Sequence, residues 1–213
     1  RIISGRPLIA FAIEVGLATR LIDRYIVSTD SKKIARIAVS LGATVPFERP
    51  AIIATDSAPM LPVLKHAVVE IEQQTGDVVE AVVLLDPTAP LRTVEDVENA
   101  IKLFQQGECD AVISVNKSAK NPYFNMVEII NGKVQKVKNL DKNLVRRQDA
   151  PEVFDMNASI YIWKREALLR NDTLFTDKTS LYIMPEERSV DIDTQIDWEF
   201  VEFMMGKTID SDD

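Results

Sequence analysis

The sequence has only one cysteine, Cys109, and only one histidine, His66. A single cysteine excludes an internal disulfide and a cysteine-based zinc site, and it is typical of proteins from a reducing compartment. A single histidine, placed in a predicted helix, excludes a multi-histidine metal site and leaves no basis for a histidine-based catalytic triad. The chemistry of this chain must therefore rest on other side chains.

Long apolar runs and an excess of positive charge are absent as well. The apolar runs are short and interrupted by charged residues, so we expect no membrane span and no secretion signal. The net charge of −8 argues against nucleic acid as the main partner. A small anionic substrate is compatible with it, because a few arginines in a cleft bind phosphate even in an acidic protein. These features predict a cytoplasmic protein.

Strand and helix patterns alternate along the chain. Continuous apolar runs predict strands, and apolar residues spaced by three and four predict helices. The predicted strands are 25–29, 44–46, 81–85, 111–115, 158–163 and 181–184, and the predicted helices are 7–18, 32–41, 61–74, 94–106, 165–170 and 194–205. This alternation predicts an α/β fold with a mostly parallel, Rossmann-like sheet between two helical layers.

Ligands of such sheets bind at the carboxyl ends of the strands, which selects the loops at 28–31, at 86–93 and after residue 115. Glycine is scarce, and no Gly-x-Gly-x-x-Gly pattern follows a predicted strand, which argues against an NAD-dependent oxidoreductase. Residues 124–137 read as a β-hairpin turning at Asn131 and Gly132. We expect this hairpin to project from the sheet as a subregion within 117–150.

Two carboxylates near the end of the chain are candidates for metal binding. If residues 190–193 are extended, Asp191 and Asp193 point to one face and Val190 and Ile192 to the other. Mg²⁺ is bound in proteins by one or two carboxylates together with phosphate oxygens and water. The alternative is a strand end at which Asp193 caps the following helix.

Five segments together resemble the acylneuraminate cytidylyltransferase (CMP-sialic acid synthetase) family. They are VSTDS at 27–31, RP at 49–50 with ATD at 54–56, LDPTAPLRT at 85–93, RQ at 147–148 with NASIY at 157–161, and SVDIDT at 189–194. Each segment is a weak signal by itself, but their order and spacing extend over nearly the whole chain. The resemblance implies a single domain over 1–213 that transfers CMP from CTP to the anomeric hydroxyl of a sialic-acid-like sugar and releases pyrophosphate.

The resemblance also implies a cofactor, partners and roles for particular residues. Mg²⁺ is the expected cofactor, held by Asp191 and Asp193, one of which would also help to deprotonate the sugar hydroxyl. The expected partners are CTP, an acidic nonulosonic sugar and a second copy of the chain, with the hairpin as dimerisation element. The expected substrate-binding residues are Arg49, Asp86, Arg147, Gln148, Asn157, Tyr161 and Phe175.

Several of these residues have an alternative interpretation that the sequence leaves open. Arg49 suits a surface loop with a weak salt bridge, and Arg147 suits a solvated basic stretch. Tyr161 and Phe175 suit core packing. Arg92 is expected to be structural, pairing with acidic side chains. The activity also has alternatives, which are an eight-carbon or legionaminic- or pseudaminic-type sugar, or a nucleotide-binding module without catalysis.

Two departures from the family pattern bear on the substrate. The family begins with a strand and a Gly/Ser/Lys/Arg-rich phosphate loop that nothing here matches, so we expect about two dozen residues to precede this sequence. Asp86 stands where many members have Gln, close to the sugar. We expect Asp86 to accept a hydrogen bond from a sugar hydroxyl or from a neighbouring arginine, in a pocket that differs from one built for N-acetylneuraminate.

Overall fold

The computed structural model describes residues 1–140 and 146–210, with side chains up to Gly206. Among these residues no helix is long and apolar enough to cross a membrane. The helices are α1 Leu8–Ala18, α2 Lys32–Ser40, α3 Met60–Thr75, α4 Val94–Gln106, α5 Arg165–Arg170 and α6 Gln195–Asp210. The strands are β1 Ile2–Ile3, β2 Arg6–Pro7, β3 Ala81–Leu85, β4 Ala111–Lys117, β5 Val127–Ile130, β6 Lys133–Lys136, β7 Phe154–Lys164 and β8 Thr179–Ile183.

The central sheet has four strands in the order β3-β7-β4-β8. Strand β7 is antiparallel to both of its neighbours, whereas β4 and β8 are parallel. Three of the four strands therefore share one direction. The predicted mixed α/β fold is confirmed, with one opposed strand in the middle of the sheet.

Alternate side chains of β4 pack against helices on opposite faces of the sheet. Ile113 lies in a core cluster with Leu64 of α3 and Trp163 of β7. Val112 lies in a second cluster with Val97 of α4. This period of two is the one expected for a buried strand, and it confirms the three layers.

The two short strands predicted at 25–29 and 44–46 are not formed as strands. These segments make only isolated parallel bridges, between Ile26 and Thr44 and between Thr29 and Glu48. Two isolated bridges give too few hydrogen bonds for a continuous ladder. The apolar composition of these segments alone therefore wrongly predicted strands. The helix between the two segments begins as predicted, because the side chain of Ser31 accepts a hydrogen bond from the backbone N–H of Ile34 at 3.4 Å.

The predicted hairpin forms a separate two-stranded sheet, in which Ile130 pairs with Lys133. Asn131 and Gly132 have φ of 52° and 75°, the left-handed conformations of a type I′ turn. Apolar side chains of the hairpin are exposed, with Ile129 at 73%. Part of the polar stretch that follows, residues 141–145, lies outside the described residues.

Candidate active site

The strand directions bring three chain segments to one edge of the sheet. Strands β3, β4 and β8 end at this edge, and the opposed β7 begins there. Asp86 directly follows β3, and Asp191 lies in the segment between β8 and α6. The backbone N–H of Ile192 donates to the carbonyl oxygen of Thr88 at 2.9 Å. The loops that carry Asp86 and Asp191 are therefore joined by a backbone hydrogen bond.

The loop after β3 is ordered by its own polar side chains. The backbone N–H and the hydroxyl of Thr88 both donate to Oδ1 of Asp86, at 3.2 and 3.0 Å. This is the local turn that an aspartate two residues before a hydroxyl residue favours. One carboxylate oxygen of Asp86 is thus committed to the loop itself. The hydrogen bond expected from a neighbouring arginine goes instead to the backbone carbonyl of Asp86, from Arg92.

Arg92 is buried behind this loop and has 3% of its surface exposed. Its Nε donates to Oγ of Ser159 at 3.0 Å, and Nη2 donates to the carbonyl oxygen of Asp86. Burial lowers the pKa of Arg92 to about 10, against the opposing charges of Asp86, Tyr25, Asp191 and Asp96. The predicted structural role is thus supported, although the hydrogen bonds go to a hydroxyl and a carbonyl rather than to carboxylates.

The segment before α6 has the alternation that its sequence predicts. Val190 and Ile192 pack together in a core cluster around Trp198. Asp191 is partly buried on the other side, and Asp193 is exposed. The alternative role of Asp193 as a helix cap is not what the structure shows, because Thr194 and Asp197 form the reciprocal cap of α6.

Asp191 is a partly buried carboxylate whose pKa is raised. Burial raises its pKa, the nearby Thr88 hydroxyl lowers it, and the nearby charges of Asp193, Asp86 and Asp197 raise it. Within the described residues, no donor reaches Oδ1 of Asp191, although that atom is buried. Nor do those residues hold a group of three or more His, Cys, Asp or Glu side chains placed to bind a metal. A cation here would rest on two carboxylates and on ligands from its substrate.

Asn157 is buried at the start of β7 and hydrogen-bonded inside the protein. Its Oδ1 accepts from the hydroxyl of Ser114 at 2.6 Å, and its Nδ2 donates to Oγ of Ser189 at 3.1 Å. Strand β7 bulges here, and the next residue, Ala158, has a φ of 48°. The amide therefore ties β4 to the segment that leads to Asp191. A direct contact between Asn157 and a sugar stays a prediction.

Tyr161 lies on the face of the sheet covered by α3, in a core cluster that does not include Phe175. Tyr161 stacks on Trp163 at 5.6 Å between ring centroids and is 6% exposed. Burial raises the pKa of the Tyr161 hydroxyl, and the charges of Asp86 and Asp191 raise it further. Leu174 packs against this cluster, while Phe175 beside it is 54% exposed. Tyr161 is thus a core residue whose hydroxyl is affected by the charges of Asp86 and Asp191, and Phe175 is outside the core.

Arg49 lies beside the loop at 28–31, and its backbone N–H donates to the carbonyl oxygen of Thr29 at 3.1 Å. It donates hydrogen bonds to the hydroxyl and the carbonyl oxygen of Ser28. Burial lowers the pKa of Arg49, while the charge of Asp30 raises it. The adjacent open cavity of about 290 Å³ is lined by residues that include Thr29, Asp30, Ser31 and Phe47. The alternative of a surface salt bridge is not what the structure shows.

Arg147 and Gln148 line a different open cavity, of about 430 Å³, at the base of the hairpin. Arg147 donates to the carbonyl oxygens of Ser118 and Ala119, at 3.2 and 2.9 Å. Neither Asp86 nor Asp191 lines this cavity. The structure therefore does not bring these two predicted sugar ligands together with the carboxylates of the same chain.

Sequence reasoning missed two residues that support the site, Asp96 and Arg188. The sequence predicted Asp96 only as part of a capping box with Thr93, and that capping box is present. Arg188 forms two hydrogen bonds with the same carboxylate. No signal in the sequence connects two residues so far apart in the chain.

Comparison with known proteins assigns the family. A family model described as cytidylyltransferase matches residues 1–204. The chain is 40% identical over 206 residues to CMP-N,N'-diacetyllegionaminic acid synthase of Campylobacter jejuni, covering 97% of this chain and 87% of that protein. It is 38% identical over 205 residues to post-translational flagellin modification protein B of Campylobacter coli, covering 96% of this chain and 86% of that protein.

A solved structure has the same fold. This is CMP:2-keto-3-deoxy-manno-octonic acid synthetase complexed with CTP, with a TM-score of 0.66 at 14% identity, covering 98% of this chain and 91% of that one. At that identity the likeness concerns the fold alone. The resemblance found in the sequence and the matched family model agree over nearly the whole chain. This chain belongs to the cytidylyltransferase family and is a nucleotidyltransferase.

Proposed function

We propose that this chain transfers CMP from CTP to the anomeric hydroxyl of an acidic nine-carbon sugar and releases pyrophosphate. The observation that carries the proposal is the connection between the Asp86 and Asp191 loops at the carboxyl edge of the sheet. Nucleotide sites of α/β sheets lie at this edge. The reaction takes place in the cytoplasm, which fits a chain with a single cysteine.

Mg²⁺ is the proposed cofactor, held by Asp191 and Asp193. The buried Oδ1 of Asp191 has no hydrogen-bond donor among the described residues, which suits an atom that accepts a cation. The side chain of Asp193 is exposed, and the cap of α6 uses only its backbone N–H, which donates to Oδ2 of Asp197 at 3.3 Å. Mg²⁺ in such a site neutralises phosphate charge during nucleotidyl transfer. The two carboxylates orient the triphosphate, and one of them accepts the proton of the sugar hydroxyl.

Arg49 and the cavity beside it are the proposed site for the cytidine part of CTP. Ser28 holds the guanidinium in place, and the polar residues Thr29 and Ser31 are among those that line the cavity. Fixed donors and acceptors of this kind suit the polar edge of a nucleobase.

The sugar is proposed to lie between Asp86, Tyr161 and Phe175, with Asn157 below it. Arg147 and Gln148 of a second copy bind its carboxylate, because the forked guanidinium matches a carboxylate. Asp86 carries an oxygen that Thr88 does not use and that accepts but cannot donate. This suits a sugar that presents a donor, an O–H or an N–H group, at this position. The relative from Campylobacter jejuni is a synthase for a diacetylated legionaminic acid, and we propose a sugar of that type.

The test is pyrophosphate release by the protein with CTP and Mg²⁺ and a panel of acidic sugars. The panel contains N,N'-diacetyllegionaminic acid, pseudaminic acid, N-acetylneuraminic acid and an eight-carbon ulosonic acid. We expect kcat/KM for the diacetylated legionaminic acid to exceed the others by more than tenfold. A preference for N-acetylneuraminic acid would contradict the sugar assignment only. Binding of CTP in calorimetry without release from any sugar would favour the module without catalysis.

We further propose that the hairpin holds two copies of the chain together. Residues 117–150 have eight Lys or Arg against three Asp or Glu, whereas the whole chain has a net charge of −8. A basic, apolar arm is thus complementary to the acidic remainder of a second copy. A lone two-stranded hairpin is also marginally stable in water, and Ile129 and Val134 expose 73% and 68% of their surface.

Sedimentation tests this proposal with matched substitutions. We expect the native protein to sediment as a dimer and Ile129→Asp to sediment as a monomer. Val78 is 74% exposed outside the hairpin, so Val78→Asp serves as the control and stays dimeric. A native protein that is monomeric at micromolar concentration would refute the hairpin interface.

A further inference from the structure

One ion pair joins α4, which follows the Asp86 loop, to the 3₁₀ turn that precedes Asp191. Asp96 is the third residue of α4, and Arg188 ends the 3₁₀ turn Glu186–Arg188, three residues before Asp191. Nε of Arg188 lies 2.8 Å from Oδ2 of Asp96, and Nη2 lies 2.9 Å from Oδ1. The side chain of Asp96 is 1% exposed and that of Arg188 is 32% exposed. This is the two-point geometry that a guanidinium and a carboxylate form best.

Further donors hold the Asp96 carboxylate in place. Oδ2 accepts from the backbone N–H and the hydroxyl of Thr93, at 3.0 and 2.8 Å. Oδ1 accepts from the hydroxyl of Tyr182 on β8, at 3.2 Å. Five donor contacts converge on one buried side chain, counting the two from Arg188. A carboxylate held in this way is a fixed anchor and not a mobile surface charge.

The anchor connects backbone segments that carry different parts of the site. Thr93 follows Arg92, whose guanidinium holds the carbonyl of Asp86. Arg188 begins the short segment that leads to Asp191, and Ser189 in that segment accepts from Asn157 at 3.1 Å. The position of Asp191 relative to Asp86 is thus restrained by two sets of contacts: the ion pair of Arg188 with Asp96, and the hydrogen bond of Ser189 with Asn157.

We propose that Asp96 and Arg188 are a positioning pair for Asp191. The proposal rests on the proposed function, because it takes Asp191 as a ligand of the cation. Neither residue contacts the substrate, and the pair acts by fixing the backbone that carries the carboxylate. Groups behind a metal ligand commonly change metal affinity by 10- to 100-fold when they are altered, and small displacements of a reacting group reduce turnover.

The first test is Arg188→Lys, which keeps the charge but replaces two parallel hydrogen bonds by a single-point contact. We expect the half-saturating concentration of Mg²⁺ for pyrophosphate release to rise at least tenfold and kcat to fall. We expect binding of CMP, measured in EDTA, to stay within twofold, because the cytidine site lies at Arg49. A purely structural role would lower the melting temperature without shifting the Mg²⁺ dependence.

The matched control is the pair Arg165–Glu72, which has the same two-point geometry at 2.6 and 2.8 Å. It joins α3 to the start of α5, away from the strand ends that carry Asp86. Arg165→Lys is expected to lower the melting temperature and to leave the half-saturating Mg²⁺ concentration within twofold. An equal Mg²⁺ shift in this control would overturn the proposal, as would an unchanged Mg²⁺ dependence in Arg188→Lys.

Two further measurements keep this proposal separate from the proposed function. If the native protein releases no pyrophosphate with any sugar, calorimetric titration with Mg²⁺ and CTP reads the metal site without turnover. If Arg188→Lys does not fold, Asp96→Asn provides the same test, because its amide retains one acceptor for Thr93 but loses the ion pair. The double variant is expected to shift Mg²⁺ binding no further than the larger single effect, and multiplied effects would contradict a shared role.

Discussion

Replacing Asp191 by Asn is expected to stabilise the protein without its cation and to remove its response to the cation. Burial raises the pKa of this carboxylate, and the charges of Asp193 and Asp86 raise it further. A raised pKa means that the folded state favours the protonated form. The ionised side chain therefore costs stability at neutral pH, and asparagine has nearly the same shape without the charge.

The size of the effect follows from the environment of the side chain. Leaving a buried polar atom without a partner costs about 1–3 kcal/mol, and because Asp191 is only partly buried and solvent screens its charge, we expect a gain at the low end, about 1 kcal/mol. For a chain of this length that is a rise in melting temperature of about 2–4 °C. Mg²⁺ at ten times its dissociation constant stabilises the native protein by about 1.4 kcal/mol. The variant loses that second increment.

Thermal unfolding with and without Mg²⁺ checks both effects, together with the pH dependence. Because the pKa of Asp191 is raised on folding, its penalty is present at neutral pH and disappears as the pH falls below the raised pKa. The advantage of Asp191→Asn in EDTA should shrink accordingly as the pH is lowered. Asp177 is exposed and serves as control, since Asp177→Asn should change neither quantity. A variant less stable than the native protein in EDTA would refute this reasoning.

Two backbone predictions test the packing around the site. Gly16→Ala would place a Cβ against the ring of Tyr25 and should lower the free energy of unfolding, measured in urea, by about 2 kcal/mol or more. Gly206 has open space around it, so Gly206→Ala should raise the free energy of unfolding by about 0.5–1 kcal/mol. Equal effects of the two would show that Tyr25 moves freely. Ala158 has a φ of 48°, so Ala158→Gly should raise the free energy of unfolding by about 0.5–1 kcal/mol, and a clear loss would indicate that its methyl group is needed for packing.

The fold could be predicted from the sequence wherever one local pattern decided the outcome. The run at 81–85, the capping box of Thr93 and Asp96 and the Asn131–Gly132 turn each lie where they were expected. The direction of β7 could not be predicted in this way, because an apolar strand reads the same in either direction. The segments at 25–29 and 44–46 also failed as strands, since strand formation depends on neighbours that local sequence does not specify.

The local arrangement of the candidate carboxylates was predicted from the sequence, whereas the contacts that support them were not, and metal binding by these carboxylates stays a prediction. The alternation around Asp191 and Asp193 is a local property and is present in the structure. Asn157 hydrogen-bonds to Ser114 and Ser189, since a buried amide must satisfy its polar atoms inside the protein, and its expected contact with a sugar stays a prediction. The contact between Asp96 and Arg188 spans most of the chain, and only the folded structure brings the two side chains together.

Electrostatic repulsion gives a reason for the many structural contacts around the three carboxylates of the candidate site. Asp86, Asp191 and Asp193 are close enough for their charges to affect one another, and this repulsion favours moving the loops apart. The bond from Ile192 to Thr88, the buried Arg92 and the anchor of Arg188 on Asp96 oppose that movement. A site that holds like charges together without its cation gains from binding one, because the cation replaces repulsion by attraction. If Mg²⁺ is the cofactor, as proposed, the stability lost to the carboxylates contributes to the affinity for it, and weakening the anchors should reduce that affinity before it unfolds the chain.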